Sequence, residues 1–204
     1  DYTRLGDIIV TVDDSQLKIT SPGGFIEGVN MDNLLTVPPH GRNPRLADAL
    51  KRIGLAERTG RGIDRIFEGS ARYGRPLPDY SASTVANVCL SISRAKPDYT
   101  FMKLIADEED RMGRSFSINS LLVLSILHEE RRMTLKELVE HTHIHERELR
   151  SCAELLLERG LLTAAGSGRS RAYLLSSAFY KAARNEDGHR RQLDSSQDGW
   201  MQTI

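Results

Sequence analysis

The stretch Leu55–Phe67, "LAERTGRGIDRIF", sets two glycines one residue apart, with Arg58, Arg61 and Arg65 around them, ahead of an aliphatic run at helical spacing. Several chemistries place glycines before a helix. A phosphate loop requires G-x-x-x-x-G-K-[ST] after a strand. Here Gly54 and Gly60 are separated by five residues rather than four, Arg61 stands where lysine is needed, and the preceding pattern is helical. A dinucleotide fingerprint requires G-x-G-x-x-G after a strand. Gly60-Arg61-Gly62 supplies its start, but Arg65 occupies the third glycine position. Two readings survive. Gly60 and Gly62 let the chain turn between two helices, the second of which packs Ile63 and Ile66, or the helix starting near Gly62 aims its free N–H groups at an anion.

Upstream of this stretch, Asn43-Pro44 has the form of an N-cap followed by proline at the first helical position. Leu46, Ala47, Leu50 and Ile53 then form one face, and Gly54 stops the helix. Further back, Asp7–Val12 and Gln16–Thr20 alternate around the turn residues Asp13-Asp14-Ser15, which predicts a hairpin. Ser21-Pro22-Gly23-Gly24 ends it, and residues 25–41 read as loop, with Pro38-Pro39 and Gly41. Downstream, helix 62–73 places Ile63, Ile66, Phe67 and Ala71 on one side before Gly74, Pro76 and Pro78 end it. Thr84–Ile92 alternates as a strand, with Ala86, Val88, Leu90 and Ile92 on one face. The first module, residues 1–96, is therefore expected to be α+β.

Pro97 marks a change of pattern. Residues 97–116 read as an acidic connecting helix, in which Asp107–Asp110 is a solvated face. From Ser117 the pattern is helix, helix, helix, hairpin. Residues 118–128 form an apolar helix. Thr134 and Glu137 form a capping box for the next one. Leu149, Ala153 and Leu156 face inward on the third, and Thr163–Leu175 folds as strand, Gly/Ser turn and strand. That order predicts a winged helix-turn-helix over 117–183, followed by a polar, disordered tail over 184–204. No internal repeat is visible.

The 204 residues suffice for one large domain or two small ones, each with a core. Lysine plus arginine equal aspartate plus glutamate at 28 each, so no global basic excess points to nucleic acid, and DNA contact must come from a local patch. Cys89 and Cys152 lie far apart in apolar contexts outside any C-x-x-C pair, which predicts buried, reduced thiols in a cytosolic protein. No stretch approaches the ~18 apolar residues of a membrane span, and the opening residues are not expected to be a signal peptide. The chain lacks an initiator methionine, so Asp1 is expected to be an internal cut.

Three segments together, "SPGG" (Ser21–Gly24), "RNPRLADALKRIGLAERTGRGIDRIF" (Arg42–Phe67) and the helix-turn-helix region, resemble a bacterial family of RecG-related proteins described as ATP-dependent helicases or transcriptional regulators. The resemblance covers nearly all of residues 1–92. It implies a truncated GHKL or HATPase-like α/β sandwich followed by a winged helix, with a Schlafen/AlbA-like DNA-binding domain preceding both in complete members. Gly23 and Gly24 would then correspond to the first glycine box of the GHKL fold. Gly60, Arg61, Gly62 and Ile63 would correspond to the second, whose helix faces nucleotide phosphates, and Arg42 and Asn43 belong to the signature segment between them. Two departures stand out. The GHKL fold binds magnesium through an asparagine on an earlier helix, which the resemblance would place before Asp1-Tyr2, so ATP with magnesium is expected only for the full-length protein. "SPGG" also lacks the acidic residue that reads adenine. With neither a phosphate loop nor a motor domain, the chain does not support helicase activity.

In a helix-turn-helix the third helix enters the major groove. Its outward residues here are Glu146, Arg147, Arg150, Ser151 and Glu154. The arginines suit guanine edges or phosphate, whereas Glu146, Glu148 and Glu154 repel it. Arg169 and Arg171 flank the tip of the wing, and Lys136 and Arg132 could add phosphate contacts. The competing reading is a winged helix used for dimerisation or docking. His141, His143 and His145 alternate across the turn, but with no carboxylate or cysteine at fixed spacing a zinc site is not indicated. His145 is expected to cap the third helix. No catalytic constellation is present. The expectation is a DNA-binding transcription regulator of the bacterial cytoplasm, acting as a homodimer or larger assembly. An ATP-binding DNA-processing protein and a pure assembly module are the alternatives.

Overall fold

A computed structural model of the chain describes residues 4–38, 41–55 and 60–177. Among these residues the fold is mixed: two three-stranded antiparallel sheets and six α-helices. The expected features at Asp1-Tyr2 and in the tail 184–204 lie outside the described residues.

The chain opens with the hairpin β1 (Ile9–Val12) and β2 (Gln16–Pro22), in register Ile9↔Thr20 to Val12↔Leu17. Its turn is held by one carboxylate oxygen. Asp13 Oδ1 accepts from the Ser15 N–H at 2.7 Å, the Ser15 hydroxyl at 2.6 Å and the Gln16 N–H at 2.9 Å. These bonds, the Ser15 hydroxyl first, pull the Asp13 carboxyl below its ordinary range. Helix α1 (Pro44–Arg52) starts as its sequence predicts, with Asn43 Oδ1 accepting from the Leu46 N–H at 3.0 Å and proline in the first turn. It buries none of its residues, and Ile53, expected on an inward face, is 67% exposed at its end.

Helix α2 (Arg61–Arg72) and strand β3 (Asn87–Ser93) follow. β3 pairs with β2 from Gln16↔Ser93 to Pro22↔Asn87, giving the order β1-β2-β3. The strand starts three residues later than its alternation suggests, because Thr84–Asn87 closes as a turn. The Thr84 N–H donates to the Asn87 carbonyl at 2.8 Å, and Thr84 Oγ1 accepts from the Ala86 and Asn87 N–H groups.

The remaining elements are α3 (Tyr99–Met112), α4 (Ile118–Glu130), β4 (Met133–Thr134), α5 (Leu135–Thr142), α6 (Glu146–Glu158), β5 (Leu162–Ala165) and β6 (Ala172–Leu175). The second sheet has the order β4-β6-β5, with Leu162↔Leu175 to Ala165↔Ala172 pairing the last two strands. Local chemistry sets each helix start. Asp98 caps α3, Ser117 caps α4, and Thr134 with Glu137 forms the reciprocal box at α5. His145 Nδ1 accepts from the Arg147 N–H at 3.2 Å at the start of α6.

Helix α4 is buried on every side from Ser120 to Leu127, as a helix must be when apolar all round. Leu121, Leu122, Leu124 and Leu127 are at most 1% exposed, and each such side chain contributes about 1.5–3 kcal/mol through burial. Around α4 collect Phe101 and Ile105 of α3, Leu138 of α5, Leu149 and Leu156 of α6, and Tyr173 and Leu175 of β6. Helix α2 also packs on α4, inserting Ala71 into this core. A charged clamp ties α2 to α3 as well. Arg72 donates to Glu109 through both terminal nitrogens, at 2.6 and 3.0 Å, and to Glu68 at 3.1 Å. Glu109 also accepts the Phe116 N–H at 2.8 Å. Cys89 and Cys152 are buried, free thiols, and burial raises the Cys152 thiol above its ordinary value.

Candidate functional site

A cavity of about 810 Å³ lies between the first sheet and the start of α2. Its floor is one sheet face, with Ile19 and Ser21 of β2 opposite Leu90 and Val88 of β3. Gly60, Arg61, Gly62, Ile63 and Ile66 form a second wall, and the connection 24–38 supplies Gly24, Phe25, Ile26, Val29, Leu34, Val37 and Pro38. Tyr80 closes one end, near Phe25 at 6.2 Å and stacked on Phe67 at 6.5 Å. Burial pushes its hydroxyl above the ordinary tyrosine value.

The two glycine segments picked out in the sequence meet here, although Gly24 and Gly60 are 36 positions apart. Gly24, Gly60, Arg61, Gly62 and Ile63 line the cavity, whereas Gly23, Arg42 and Asn43 are not among its lining residues. Gly23 is buried and donates its N–H to the Ala86 carbonyl at 2.8 Å. Arg42 donates to the Gly24 carbonyl at 2.7 Å, fixing the loop, and Asn43 is spent on capping α1.

The glycines differ in purpose. A Cβ on Gly24 would fall 2.8 Å from the Thr84 carbonyl oxygen and 2.9 Å from that of Val85, so close backbone approach requires glycine there. Gly60 caps α2 at φ +76°, the left-handed region that favours glycine, and offers no side chain to the first N–H groups. Gly62 has neither constraint: its φ is ordinary, and a Cβ there would meet no atom within 4 Å. The expected helix-to-helix turn therefore accounts for Gly60 but not for Gly62.

The electrostatics of the lining are simple. Among the described lining residues Arg61 is the sole charged side chain, and none is aspartate, glutamate or asparagine. Arg61 has no ion-pair or hydrogen-bond partner among the described residues. A nucleotide with magnesium needs a carboxylate or amide for the metal and an acceptor for the adenine amino group. The residues present do not fit that demand, and no cluster able to hold a metal ion occurs among the described residues.

The helical half presents the other candidate surface. Glu146, Arg147, Glu148, Arg150, Ser151 and Glu154 are all exposed on α6. Several of their polar groups are already engaged. Arg150 pairs with Glu146 at 2.6 Å, which raises the guanidinium above its ordinary value, and the Ser151 hydroxyl donates to the Arg147 carbonyl at 3.1 Å. Lys136 lies 3.6 Å from Glu140, and the Arg171 guanidinium lies over the Tyr173 ring at 5.5 Å. The Arg147 guanidinium has no partner among the described residues. The side chain of Arg169 lies outside the described residues. His141, His143 and His145 do not converge on one point: His145 caps α6, and His143 faces Asp32 at 3.5 Å.

Sequence reasoning missed the loop wall and Tyr80. The signal was present, since Phe25, Ile26, Val29, Leu34, Leu35 and Val37 make segment 25–37 too apolar for an ordinary surface loop.

Comparison with known proteins bears on both halves. Residues 6–90 match the family described as "Putative ATP-dependent DNA helicase recG C-terminal", which supports the RecG-related, HATPase-like affinity of the sheet half. The fold is also similar to the crystal structure of the DIP2311 protein from Corynebacterium diphtheriae, with a TM-score of 0.70 and 23% identity. That likeness covers 89% of this chain, and so takes in both halves, but spans 38% of the other protein. No curated protein matches the chain. Among the described residues no helix is long and apolar enough to cross a membrane.

Proposed function

We propose that the chain is a regulatory unit that binds DNA through its helical half and senses a small ligand, or assembles, through its sheet half. One observation carries the first part: the chain order α4–β4–α5–α6–β5–β6 with the sheet order β4-β6-β5. This order supports reading the helical half as a winged helix-turn-helix, with α6 as recognition helix and the segment between β5 and β6 as wing. The matched family, described as belonging to a DNA helicase, is in keeping with a DNA-linked role.

The charge pattern sets the strength of that binding. Arg150 is neutralised by Glu146 and Lys136 stands beside Glu140, so Arg147 and Arg171 carry most of the contact. Two or three phosphate contacts give weak affinity with a shallow salt slope. Fluorescence anisotropy with a 30-base-pair duplex at roughly 50 and 200 mM salt tests this. Binding should be measurable at the lower salt, and Arg147→Ala and Arg171→Ala should each lower the salt slope by about one. Absence of binding by the unaltered chain at low salt would sink the proposal and leave the assembly reading. Winged-helix readers of paired half-sites act as homodimers, so sedimentation should give a dimer, at least on DNA.

The alternative, an ATP-binding DNA-processing protein, has the family description in its favour. The described cavity lining, which includes no carboxylate, is against it. Calorimetric titration with ATP and magnesium separates the two.

A further inference from the structure

The cavity beside α2 has walls of one kind and a mouth of another. Ile19, Val88 and Leu90 of the sheet face Ile63 and Ile66 of α2, and no acidic side chain is among the described lining residues. At the mouth stands Arg61, exposed and without a partner among the described residues. Beside it, Gly62 leaves open space where the alanine that a helix prefers would fit without a clash. The size, about 810 Å³, falls within the range of small-molecule sites. A polyanion such as a nucleoside triphosphate would bring several charges to a single guanidinium and polar base edges to aliphatic walls. Neither is compensated, and uncompensated burial of polar groups is costly.

From this geometry we infer that the cavity takes a small amphipathic monocarboxylate, its apolar body between the sheet and α2 and its carboxylate on Arg61. The N–H groups of the first turn of α2, left without a side-chain cap by Gly60, add donors on the same side. The inference rests on the reading of the sheet half as a ligand sensor and names the class of ligand sensed.

The test is calorimetric titration of the full chain, without DNA, with 2-naphthoate, decanoate, the neutral analogue 2-naphthylmethanol, and ATP with magnesium. Both carboxylates should bind, 2-naphthylmethanol more weakly, and ATP should be silent. Arg61→Gln should weaken 2-naphthoate roughly tenfold or more, the loss expected for one charge-assisted contact, and leave 2-naphthylmethanol unchanged. Gly62→Leu sets a side chain in the lining where nothing crowds it and should abolish binding of both while leaving the thermal melt intact. Binding of ATP or 2-naphthylmethanol in preference to the carboxylates would overturn the ligand class while leaving a sensor. Silence of all four probes would overturn both. Unchanged 2-naphthoate affinity in Arg61→Gln, or in folded Gly62→Leu, would overturn the placement.

Discussion

The sheet half and the helical half solve the problem of burial differently. Among the described residues of the sheet half, only Ala71, Tyr80, Cys89 and Leu90 are buried hydrophobic side chains, and Ala71 belongs to the core around α4. Ile9, Val10 and Val12 of β1 are each more than half exposed. The helical half closes a continuous core around α4. Composition suggests enough chain for a core in each half. In the fold, one half owns the core and the other leans on it through α2. A further set of its apolar residues, among them Ile19, Ile63, Ile66 and Val88, lines a cavity rather than a packed core.

The strongest way to break this comparison is Leu124→Ala, at a side chain with no exposure. It should destabilise the chain by about 3–5 kcal/mol. Urea unfolding followed by circular dichroism and by tyrosine fluorescence, to which Tyr80 contributes, should show both halves lost together. A β-sheet signal surviving the helical one would mean that the sheet half stands by itself.

Glu109→Gln comes next, since it leaves Arg72 without its bidentate partner. The expected cost is about 1.5–3 kcal/mol. The same pair sets the acid limb. Burial pushes the Glu109 carboxyl up, but the bonds from Arg72 and Phe116 outweigh it and leave it below its ordinary value. Asp98 behaves alike: burial raises it, while the Phe101 N–H and His128, 2.9 Å away, lower it further. Both folded values lie below the unfolded ones, so their contribution is complete above the ordinary carboxylate range. It is lost as pH falls below about 4. Melting temperatures between neutral and acid pH should fall along that limb, less steeply in Glu109→Gln. An identical slope would show that the clamp adds nothing.

The smallest effect is expected on β1. Val10→Thr keeps the β-branch at an exposed position and should change stability by less than about 0.5 kcal/mol in thermal melts. A larger loss would show that this strand is covered in solution.

What the sequence made legible was local. The Asp13 turn, the Asn43, Thr134/Glu137 and His145 caps and the order of elements in the helical half each depend on residues within a few positions of one another. Helix α1 marks the limit of periodicity, which found its apolar face but could not find a partner for it. The cavity was half legible. Its glycines stood out, but its loop wall has no period, and Tyr80 joins it from a distant segment, beside Phe25 and Phe67. The packing of α2 on α4, and the Arg72–Glu109 pair across 37 positions, are long-range facts that no window of sequence contains.

Helix α2 is held at one end and open at the other. Its last turn carries Arg72, clamped to Glu109, and its first turn borders the cavity. Twelve residues make a rod about 18 Å long. A tilt of about 5° about the clamped end moves the glycine end by about 1.6 Å, while the contacts beside the clamp shift by a fraction of that. The helix is thus geared: displacement is largest where the cavity lies and smallest where the core would resist it. A push at Gly60 reaches α4, the helix at the centre of the core, as torque rather than as a slide.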